Sequence, residues 1–371
     1  MGLEFELVAT DGAARAGVLK TPHGEVKTPT FMPVGTQGAV KCLSPEQVRS
    51  TGSGMVLANA YHLMIRPGAH VVAGAGGVQR WTGWNGPMLT DSGGYQLFSL
   101  AELASVSDEG VEFRSHVDGS RLFMSPEDAI RVQNALGADI IMPLDDCVGF
   151  PVERHRAEES VRRTSLWAER SKAAHAREDQ ALFGIVQGST FHDLRRRSAE
   201  ELIETGFPGY AVGGVSVGEG TTLIREIVEA TAGLLPEDRP RYLMGVGPPE
   251  DLIISVAAGI DMFDCVVPTR NGRNGWAFTA DGTVKVKNSP HARSTLPIEK
   301  GCDCFACRNF TRSYVRHLFN AREMLGMTLV SLHNLRFFAR LMERARDAIM
   351  DGAFDSFARE ALARLDDTKS P

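Results

Sequence analysis

Short apolar segments alternate with amphipathic stretches along most of the chain. Between the apolar segments lie helical patterns such as SPEDAIRVQNALG and GTTLIREIVEATAGLL. Eight apolar segments end in small or polar residues: FMPVGTQG, MVLANAYHL, PMLTDSGG, ADIIMPLDDC, ALFGIVQGS, GYAVGGVSVGEG, RYLMGVG and IDMFDCVVP. Apolar runs of this length that alternate with helices are typical of a parallel sheet with crossover helices. Eight such units predict an α/β fold, a (β/α)8 TIM barrel.

A doubly wound open sheet is the main alternative to the barrel. Such a sheet usually carries a Gly-rich phosphate turn after its first strand, and FMPVGTQGAVK contains no G-x-G-x-x-G sequence. Helix starts are well marked, as where Ser125 precedes Pro126 and the acids Glu127 and Asp128. We therefore expect the barrel.

The pattern changes after the eighth apolar segment. A stretch rich in Gly, Asn and Lys is followed by a cysteine loop and then by helices. This change predicts a barrel over residues 1–274, a metal-binding subdomain over residues 275–345, and a C-terminal helix over residues 346–371 that packs on the barrel.

Composition bounds the class of protein. The chain has 371 residues, of which 43% are hydrophobic, enough to bury a large core. No apolar run approaches the roughly 20 residues that span a bilayer, and MGLEFELVATDG does not read as a signal peptide. Three of the six cysteines, Cys42, Cys147 and Cys265, lie in segments that read as buried strands, which favours a reducing compartment. We expect a cytoplasmic protein with no membrane partner.

Charge is distributed unevenly along the chain. The net charge is −6, yet the segment from Pro268 to Arg344 carries 13 Lys and Arg against 5 Asp and Glu. That segment has a local charge of +8, and the remainder carries −14. A basic face on an acidic body suits a polyanion that docks in one place. Solvated helix faces around the cysteine loop would give the same count, so charge alone leaves both interpretations open.

A cluster of cysteines indicates a metal site. Cys302, Cys304 and Cys307 lie within six residues, and this C-x-C-x2-C spacing supplies three ligands of a tetrahedral zinc ion. Either His317 or His333 could complete the site, and spacing alone does not choose between them. The alternative is three reduced cysteines in a surface loop that bind no metal. We disfavour it because exposed, clustered thiols oxidise readily. Four protein ligands leave no open position, so we expect one structural zinc per chain.

Polar residues follow most of the predicted strands. The carboxyl ends of barrel strands form the face on which reactive groups lie. A single Asp after a strand is most often a helix cap, but several strand ends with carboxylate or amide groups favour a shared cavity. Two carboxylates there can divide nucleophile and acid/base roles in glycosyl chemistry. The strand-end residues are Asp91, Asp145, Asp146, Gln187, Gly213, Gly214 and Asp264.

Several motifs together resemble those of one enzyme family. LTDSGGYQ, PLDDC, GIVQGS, AVGGVSVGEG, YLMGVG and FDCVVPTRNGRNG, followed by CDCFAC and a distal His, are similar to motifs of the bacterial tRNA-guanine transglycosylases, or queuine tRNA-ribosyltransferases. The resemblance covers almost the whole chain and implies an irregular (β/α)8 barrel with a zinc subdomain. Members replace the wobble guanine in the anticodons of tRNAs for Asp, Asn, His and Tyr with a 7-deazaguanine, in queuosine biosynthesis. The resemblance also implies a homodimer.

The resemblance implies roles for individual residues. Asp264 would be the nucleophile that attacks the ribose and forms a covalent tRNA–enzyme intermediate, with Asp91 as general acid/base. Arg270 and Arg273 would contact the tRNA anticodon loop, and His333 would be the fourth zinc ligand. The residues that would bind the 7-deazaguanine base are Asp145, Gln187, Gly214, Val215, Tyr95 and Met244.

Two positions depart from the family pattern. GGVSVGEG and DDC stand where the family usually has GGLAVGEG and DEC, which places Val215 and Asp146 at positions lining or abutting the base pocket. The resemblance implies that the contact at this position is made by the backbone carbonyl of Val215, so recognition of the base should survive the shorter side chain. Cys147 and Val217 match the bacterial form, which takes 7-aminomethyl-7-deazaguanine, and we expect that substrate.

Other functional classes fit the sequence less well. A metal-dependent barrel hydrolase needs a His-x-His pair, whereas His62, His116 and His155 stand alone. A noncatalytic tRNA-binding subunit is disfavoured because Asp91 and Asp264 are both present. Base exchange on DNA stays open, because contacts to the 2′-hydroxyl cannot be read from sequence.

Overall fold

The structure is a computed structural model that describes residues 2–100 and 105–366. The strands are β1 (Glu4–Asp11), β2 (Ala14–Thr21), β3 (Gly24–Thr28), β4 (Thr30–Gly35), β5 (Val56–Asn59), β6 (Met88–Asp91), β7 (Ser105–Val106), β8 (Val111–Arg114), β9 (Arg121–Met124), β10 (Ile140–Ile141), β11 (Ala181–Leu182), β12 (Gly184–Val186), β13 (Tyr210–Val212), β14 (Arg241–Leu243), β15 (Met262–Cys265), β16 (Trp276–Thr279) and β17 (Gly282–Lys285).

The α-helices are α1 (Pro45–Ser50), α2 (Ala60–Ile65), α3 (Ala69–Gly74), α4 (Val78–Thr82), α5 (Gly94–Leu100), α6 (Pro126–Leu136), α7 (Arg154–Ala174), α8 (His192–Thr205), α9 (Thr221–Ala232), α10 (Pro249–Ala257), α11 (Val267–Arg273), α12 (Phe305–Asn309), α13 (Arg312–Asn320), α14 (Met324–Met350) and α15 (Phe354–Asp366). A 3-10 helix covers Ser289–Arg293. Among the helices in the described ranges, none has the length and apolar character needed to cross a membrane.

Eight parallel strand segments close into the predicted barrel. The sheet order is β11-β10-β6-β5-β4-β15-β14-β13-β12. β11 and β12 are separated only by Phe183; β11 pairs with β10, whereas β12 pairs with β13. Residues 181–186 therefore act as one strand that is paired on both sides, which closes the sheet. Each of the eight predicted apolar segments contains one barrel strand, so the fold prediction is confirmed.

Apolar side chains fill the barrel interior from alternate strand positions. Met32, Leu89, Ile140 and Phe183 are fully buried members of one inner cluster. The N-terminal antiparallel sheet β1–β3 adds Leu19 and other side chains to that cluster, so it covers one end of the barrel. The opposite end is left open for the polar strand-end residues.

An antiparallel sheet of β7, β8 and β9 interrupts the unit between β6 and α6. Arg162 on α7 donates two hydrogen bonds to the Asp108 carboxylate, at 2.9 and 2.6 Å. The indole N–H of Trp167 donates to the Asp108 carbonyl at 2.8 Å. α7 thus anchors the inserted sheet. α6 begins as predicted, with Ser125 forming a capping box.

The long helix α14 joins the C-terminal region to the barrel. Its Phe338 ring packs on Phe31 of strand β4, with ring centroids 4.7 Å apart. It also lies close to α11, where a Cβ at Gly272 would come within 2.7 Å of Ser331. The buried Asn334 side chain accepts from Phe278 N–H and donates to the carbonyls of Pro268 and Trp276.

The predicted domain boundaries remain a prediction. α14 runs from Met324 to Met350, so the boundary at residue 345 falls inside a continuous helix. The last helix, α15, packs against α10 of the barrel and against α14. One core cluster contains residues of both the barrel and the cysteine loop.

Candidate active site and metal centre

A cavity of about 490 Å³ opens at the carboxyl ends of the barrel strands. It is lined by loops that follow β4, β5, β6, β10, β13, β14 and β15. Gln187 and Arg273 are predicted site residues that do not line it. The predicted residues that do are Asp91, Tyr95, Asp145, Gly214, Val215, Met244, Asp264 and Arg270.

Asp264 occupies the end of β15 with one carboxylate oxygen held in place. Its Oδ1 accepts a hydrogen bond from the Tyr242 hydroxyl at 2.6 Å and another from the Gly245 N–H at 2.8 Å. No group in the described ranges donates to Oδ2. Burial raises the pKa of Asp264, and the bonds from Tyr242 and Gly245 oppose that shift. The free Oδ2 is therefore available to an electrophile in the cavity.

Asp91 at the end of β6 has a different environment. Its Oδ2 accepts from the Asn59 amide at 2.6 Å, and its Oδ1 accepts from the Ala60 N–H at 3.1 Å. Burial raises its pKa to about 8, and the negative charges of Asp264 and Asp145 add to the increase. A carboxyl group with this pKa holds a proton over much of the neutral range and can both give and take one.

Asp145 and Gln187 form a buried pair. The Gln187 amide nitrogen donates to Asp145 Oδ2 at 2.7 Å. Burial raises the pKa of Asp145 to about 6, and this hydrogen bond opposes the increase. Gln187 Oε1 lies against Gly214, where a Cβ would come within 2.1 Å of it, and Gly214 has a φ of +60°. Gln187 thus lies behind Asp145 and orients it, and only glycine fits at position 214.

Asp146 does not itself line the cavity, but it lies between Asp145 and Cys147, which both do, so it abuts the pocket. Its carboxylate accepts from Arg156 at 2.8 and 2.6 Å and from Arg163 at 2.5 Å, both on α7. These two arginines turn the side chain away from the pocket. Of the two departures from the family pattern, Val215 lines the cavity, whereas the Asp146 side chain is directed to α7.

The loop after β13 shapes one wall of the cavity. The N–H groups of Ser216 and Val217 donate to the Glu219 carboxylate at 2.5 and 2.8 Å. Because a trans peptide directs its C=O and N–H to opposite sides, the Val215 carbonyl points away from Glu219. Met244 and the half-exposed Tyr95 line the same cavity.

Sequence reasoning missed two residues that position the carboxylates. Asn59 is the last residue of β5 and fits the same strand-end rule that found Asp91 and Asp264. Tyr242 lies two residues before Met244, and side chains two apart on a strand share a face. Both signals were present in the sequence.

The cysteine loop and α14 bring four metal-ligating atoms together. The Sγ atoms of Cys302, Cys304 and Cys307 lie 3.6, 3.6 and 3.4 Å from His333 Nδ1. Tetrahedral zinc with Zn–S of ~2.3 Å and Zn–N of ~2.0 Å places S and N about 3.5 Å apart. The donor set therefore fits a metal of this kind. His317 is exposed on α13 and lies outside the cluster.

A hydrogen bond outside the cluster prepares His333 for a metal. Its Nε2 lies 2.8 Å from the Phe278 carbonyl, so Nε2 donates and Nδ1 is left as the ligand atom. Cys304 Sγ accepts from the Cys307 N–H, and Cys307 Sγ accepts from the Glu299 N–H. Of the remaining cysteines, Cys147 and Cys265 are buried as predicted, whereas Cys42 is exposed, and the prediction of a buried strand there was wrong.

We predict that Asp91→Asn stabilises the folded protein at alkaline pH. Because the pKa of Asp91 is raised in the folded state, folding favours its protonated form. Its contribution to the free energy of unfolding is therefore complete below pH 3.8 and is lost as the pH rises toward 8. The side chain is only half-buried, so we expect a gain of roughly 1–3 kcal/mol at about pH 8.5, shrinking at lower pH. Urea unfolding at several pH values measures this.

Asp118→Asn is the matched control for this experiment. Asp118 is exposed, and hydrogen bonds from the Ser115 and Ser120 hydroxyls lower its pKa. Removing its charge should give no gain at alkaline pH. A stability difference between Asp91→Asn and the wild type that stays constant with pH would contradict the prediction.

Comparisons with known proteins identify the family of this chain. The family model for queuine tRNA-ribosyltransferase matches residues 11–367. Queuine tRNA-ribosyltransferases of Symbiobacterium thermophilum and Pelotomaculum thermopropionicum are 56% and 54% identical to this chain; each alignment covers 98% of it, with 92% and 99% of the relatives. The Geobacillus thermodenitrificans protein is 51% identical over 98% of this chain and 96% of its own. The chain therefore belongs to the queuine tRNA-ribosyltransferase family of tRNA-guanine transglycosylases, and it is a transferase.

Proposed function

We propose that this protein replaces the wobble guanine of tRNAs for Asp, Asn, His and Tyr with 7-aminomethyl-7-deazaguanine through a covalent intermediate. The observation that carries the proposal is the pairing of Asp264 and Asp91 in one cavity with different environments. Asp264 has a fixed Oδ1 and a free Oδ2, whereas Asp91 has a pKa of about 8. This is the division of roles that base exchange at a sugar requires.

The first half of the reaction uses both carboxylates. Asp264 Oδ2 attacks the ribose anomeric carbon while Tyr242 and Gly245 hold Oδ1. The electron pair of the glycosidic bond passes to the departing guanine, and Asp91 supplies the proton that neutralises it. The product is a tRNA ester of Asp264 and free guanine.

The second half reverses these roles. Asp91 accepts a proton from the incoming base, whose nitrogen then attacks the anomeric carbon. The bond from carbon to Asp264 breaks, and the carboxylate leaves with its electron pair. Asp91 is returned to its protonated form, so each turnover is complete.

We assign recognition of the base to the wall formed by Asp145 and the loop after β13. Asp145, held by Gln187, offers acceptors for the ring and amino N–H groups. The Val215 carbonyl, whose peptide N–H from Ser216 donates to Glu219, faces away from that carboxylate and is assigned as the acceptor for the aminomethyl group. Tyr95 and Met244 are assigned to the two faces of the ring, since both line the cavity.

The tRNA anticodon loop is the proposed macromolecular substrate. Arg270 is exposed on α11 and lines the cavity mouth. Arg273 on the same helix has a buried Nη1 with no hydrogen-bond partner in the described ranges, so it retains a free donor. Both lie at the start of the segment with a charge of +8, and guanidinium groups suit phosphates.

Zinc is the metal that we propose for Cys302, Cys304, Cys307 and His333, with a structural role. All four ligand atoms lie within 4.8 Å of one another. When bound, the ion would cross-link the cysteine loop to α14, and no chemical step involves it.

The remaining proposals concern assembly and compartment. We propose a homodimer, and exposed apolar side chains near the cysteine loop, including Leu296, Phe305 and Tyr314, offer a surface for it. We propose the cytoplasm as the compartment, because tRNA and reduced metal-binding thiols belong to a reducing environment.

Substitution of the two carboxylates tests the catalytic proposal. Asp264→Asn should abolish exchange of labelled guanine into unmodified tRNA, and with it the denaturant-resistant adduct, because an amide is too weak a nucleophile. Asp91→Asn keeps the nucleophile and should slow exchange by roughly 10²- to 10⁴-fold. Asp355→Asn, at an exposed position on α15, is the control and should be unaffected. A tRNA-shifted band from Asp264→Asn on a denaturing gel would show that another residue attacks the sugar.

Removal of the α11 arginines tests the RNA-binding proposal. The double variant Arg270→Ala/Arg273→Ala should weaken tRNA binding. It should also reduce the slope of log binding constant against log salt concentration by about 1 to 2, because fewer phosphate contacts release fewer counterions. Arg131 and Arg359 are highly exposed on α6 and α15, and their double alanine variant is the control. An unchanged slope in the α11 variant would place the docking surface elsewhere.

Replacement of one sulfur ligand tests the zinc proposal. Cys304→Ser should lose about one equivalent of zinc per chain and lower the folded yield, because metal binding contributes directly to folding. Metal content by mass spectrometry under native conditions measures this. Cys42→Ser removes an exposed thiol outside the cluster and should keep its metal. Full zinc in Cys304→Ser would rule out its role as a ligand.

A further inference from the structure

Arg195 on α8 is a buried cation directly behind the base-binding wall. Its side chain is 2% exposed. All of its hydrogen bonds go to backbone carbonyls: Nε donates to Ser189 at 2.8 Å, Nη1 to Val186 at 3.2 Å and Gly213 at 2.7 Å, and Nη2 to Gly214 at 3.1 Å. These carbonyls belong to the ends of two neighbouring barrel strands and the loops that follow them.

The buried position of the Arg195 charge does not favour folding. No carboxylate in the described ranges forms an ion pair with it. Burial lowers its pKa to about 10, so it stays charged at neutral pH, and the charge of Glu219 acts against that shift. An unpaired buried charge destabilises a fold relative to an apolar side chain of similar volume. Its presence in this place calls for a role besides packing.

The hydrogen bonds from Arg195 fix the orientation of two peptides. The carbonyls of Gly213 and Gly214 point toward the guanidinium. Because trans peptides direct C=O and N–H oppositely, the N–H groups of Gly214 and Val215 point away from Arg195. These residues line the cavity, and neither N–H donates to another group in the described ranges. Two neighbouring N–H donors on a cavity wall suit a carbonyl oxygen.

We infer that Arg195 is a positioning residue for base exchange, whose guanidinium holds the Gly214 and Val215 N–H groups toward a carbonyl oxygen of the base. The inference rests on the proposed function. It adds a charged group outside the cavity to the residues that act on the base.

The electron flow in the reaction gives this arrangement a catalytic effect. When the glycosidic bond breaks, its electron pair passes to the base, and the base carbonyl oxygen gains negative charge. Pre-oriented N–H donors backed by a buried cation stabilise that charge more than they stabilise the bound ground state. Loss of Arg195 should therefore slow bond cleavage beyond any loss of base binding.

Arg241 provides a matched control. It is also buried, burial lowers its pKa to about 10, and its guanidinium donates to backbone carbonyls, of Leu235 at 2.6 Å and Pro236 at 3.3 Å. It lies at the first residue of β14, the end of the strand away from the cavity. A general cost of removing a buried arginine should appear equally in both positions.

The test compares Arg195→Met with Arg241→Met in single-turnover adduct formation, with rates scaled to the folded fraction. We expect Arg195→Met to form the tRNA adduct about 10- to 100-fold more slowly than wild type. Arg241→Met should stay within about threefold of wild type, since the carbonyls it binds, of Leu235 and Pro236, precede β14 and lie away from the cavity. Equal slowing of the two variants, or an unchanged rate in Arg195→Met, would overturn the inference.

Conservative variants and base binding sharpen the test. Arg195→Lys keeps the charge but loses the planar fork, so its rate should lie between Arg195→Met and wild type; it is compared with Arg241→Lys if the Met variants do not fold. Arg195→Met should also bind guanine more weakly while binding 2-aminopurine, which lacks the carbonyl oxygen, as wild type does. An equal loss of affinity for guanine and for 2-aminopurine would contradict the inference. A wild type that exchanges no base would instead refute the proposed function.

Discussion

Closure of the parallel sheet is the constraint on which the rest of the molecule depends. Residues 181–186 pair with β10 through their first part and with β13 through their last part. Backbone hydrogen bonding thereby runs around the whole ring, which leaves no strand edge exposed. Because all strands run in one direction, their carboxyl ends meet on one rim. Residues far apart in sequence, such as Asp91 and Asp264, are thus brought to one cavity.

The cavity places three carboxylates, Asp91, Asp145 and Asp264, in a poorly solvated space. Burial raises the pKa of each, but different hydrogen bonds then separate them. Asp264 accepts from Tyr242 and Gly245 through a single oxygen, and Asp91 feels the charge of both other acids. Burial disfavours the charged form of all three carboxylates, but their different surroundings give them unequal proton affinities. The proposed reaction, with one nucleophile and one proton carrier, needs such a difference.

Much of this arrangement could be predicted from the sequence. The strands were found because apolar runs end at polar residues, and that same rule found Asp91, Asp145 and Asp264. It could not place Asp146, since the arginines of α7 that turn its side chain away are known only from the fold. Gln187 was expected in contact with the base, but its position behind Asp145 depends on how closely Gly214 approaches it.

The metal ligands show a similar limit. Spacing gave the three cysteines and left His317 and His333 as equal candidates, because the orientation of α13 and α14 relative to the loop is a tertiary property. Tyr242 was missed because a tyrosine inside an apolar strand is usually a core residue. Arg195 was missed because its partners are backbone carbonyls, which carry no sequence signal.

Adjacent residues of α14 connect the metal centre to the rim of the cavity. His333 faces the cysteines, and Asn334 bonds the carbonyls of Pro268 and Trp276, on either side of the arginines of α11. Rotation of this one helical turn would move both contacts together. An oxidant that joins two of these thiols in a disulfide would therefore loosen α11, which carries Arg270 and Arg273, while leaving Asp91 and Asp264 chemically intact. Under the proposed function, oxidative damage would therefore weaken the binding of tRNA before it impaired the chemical step.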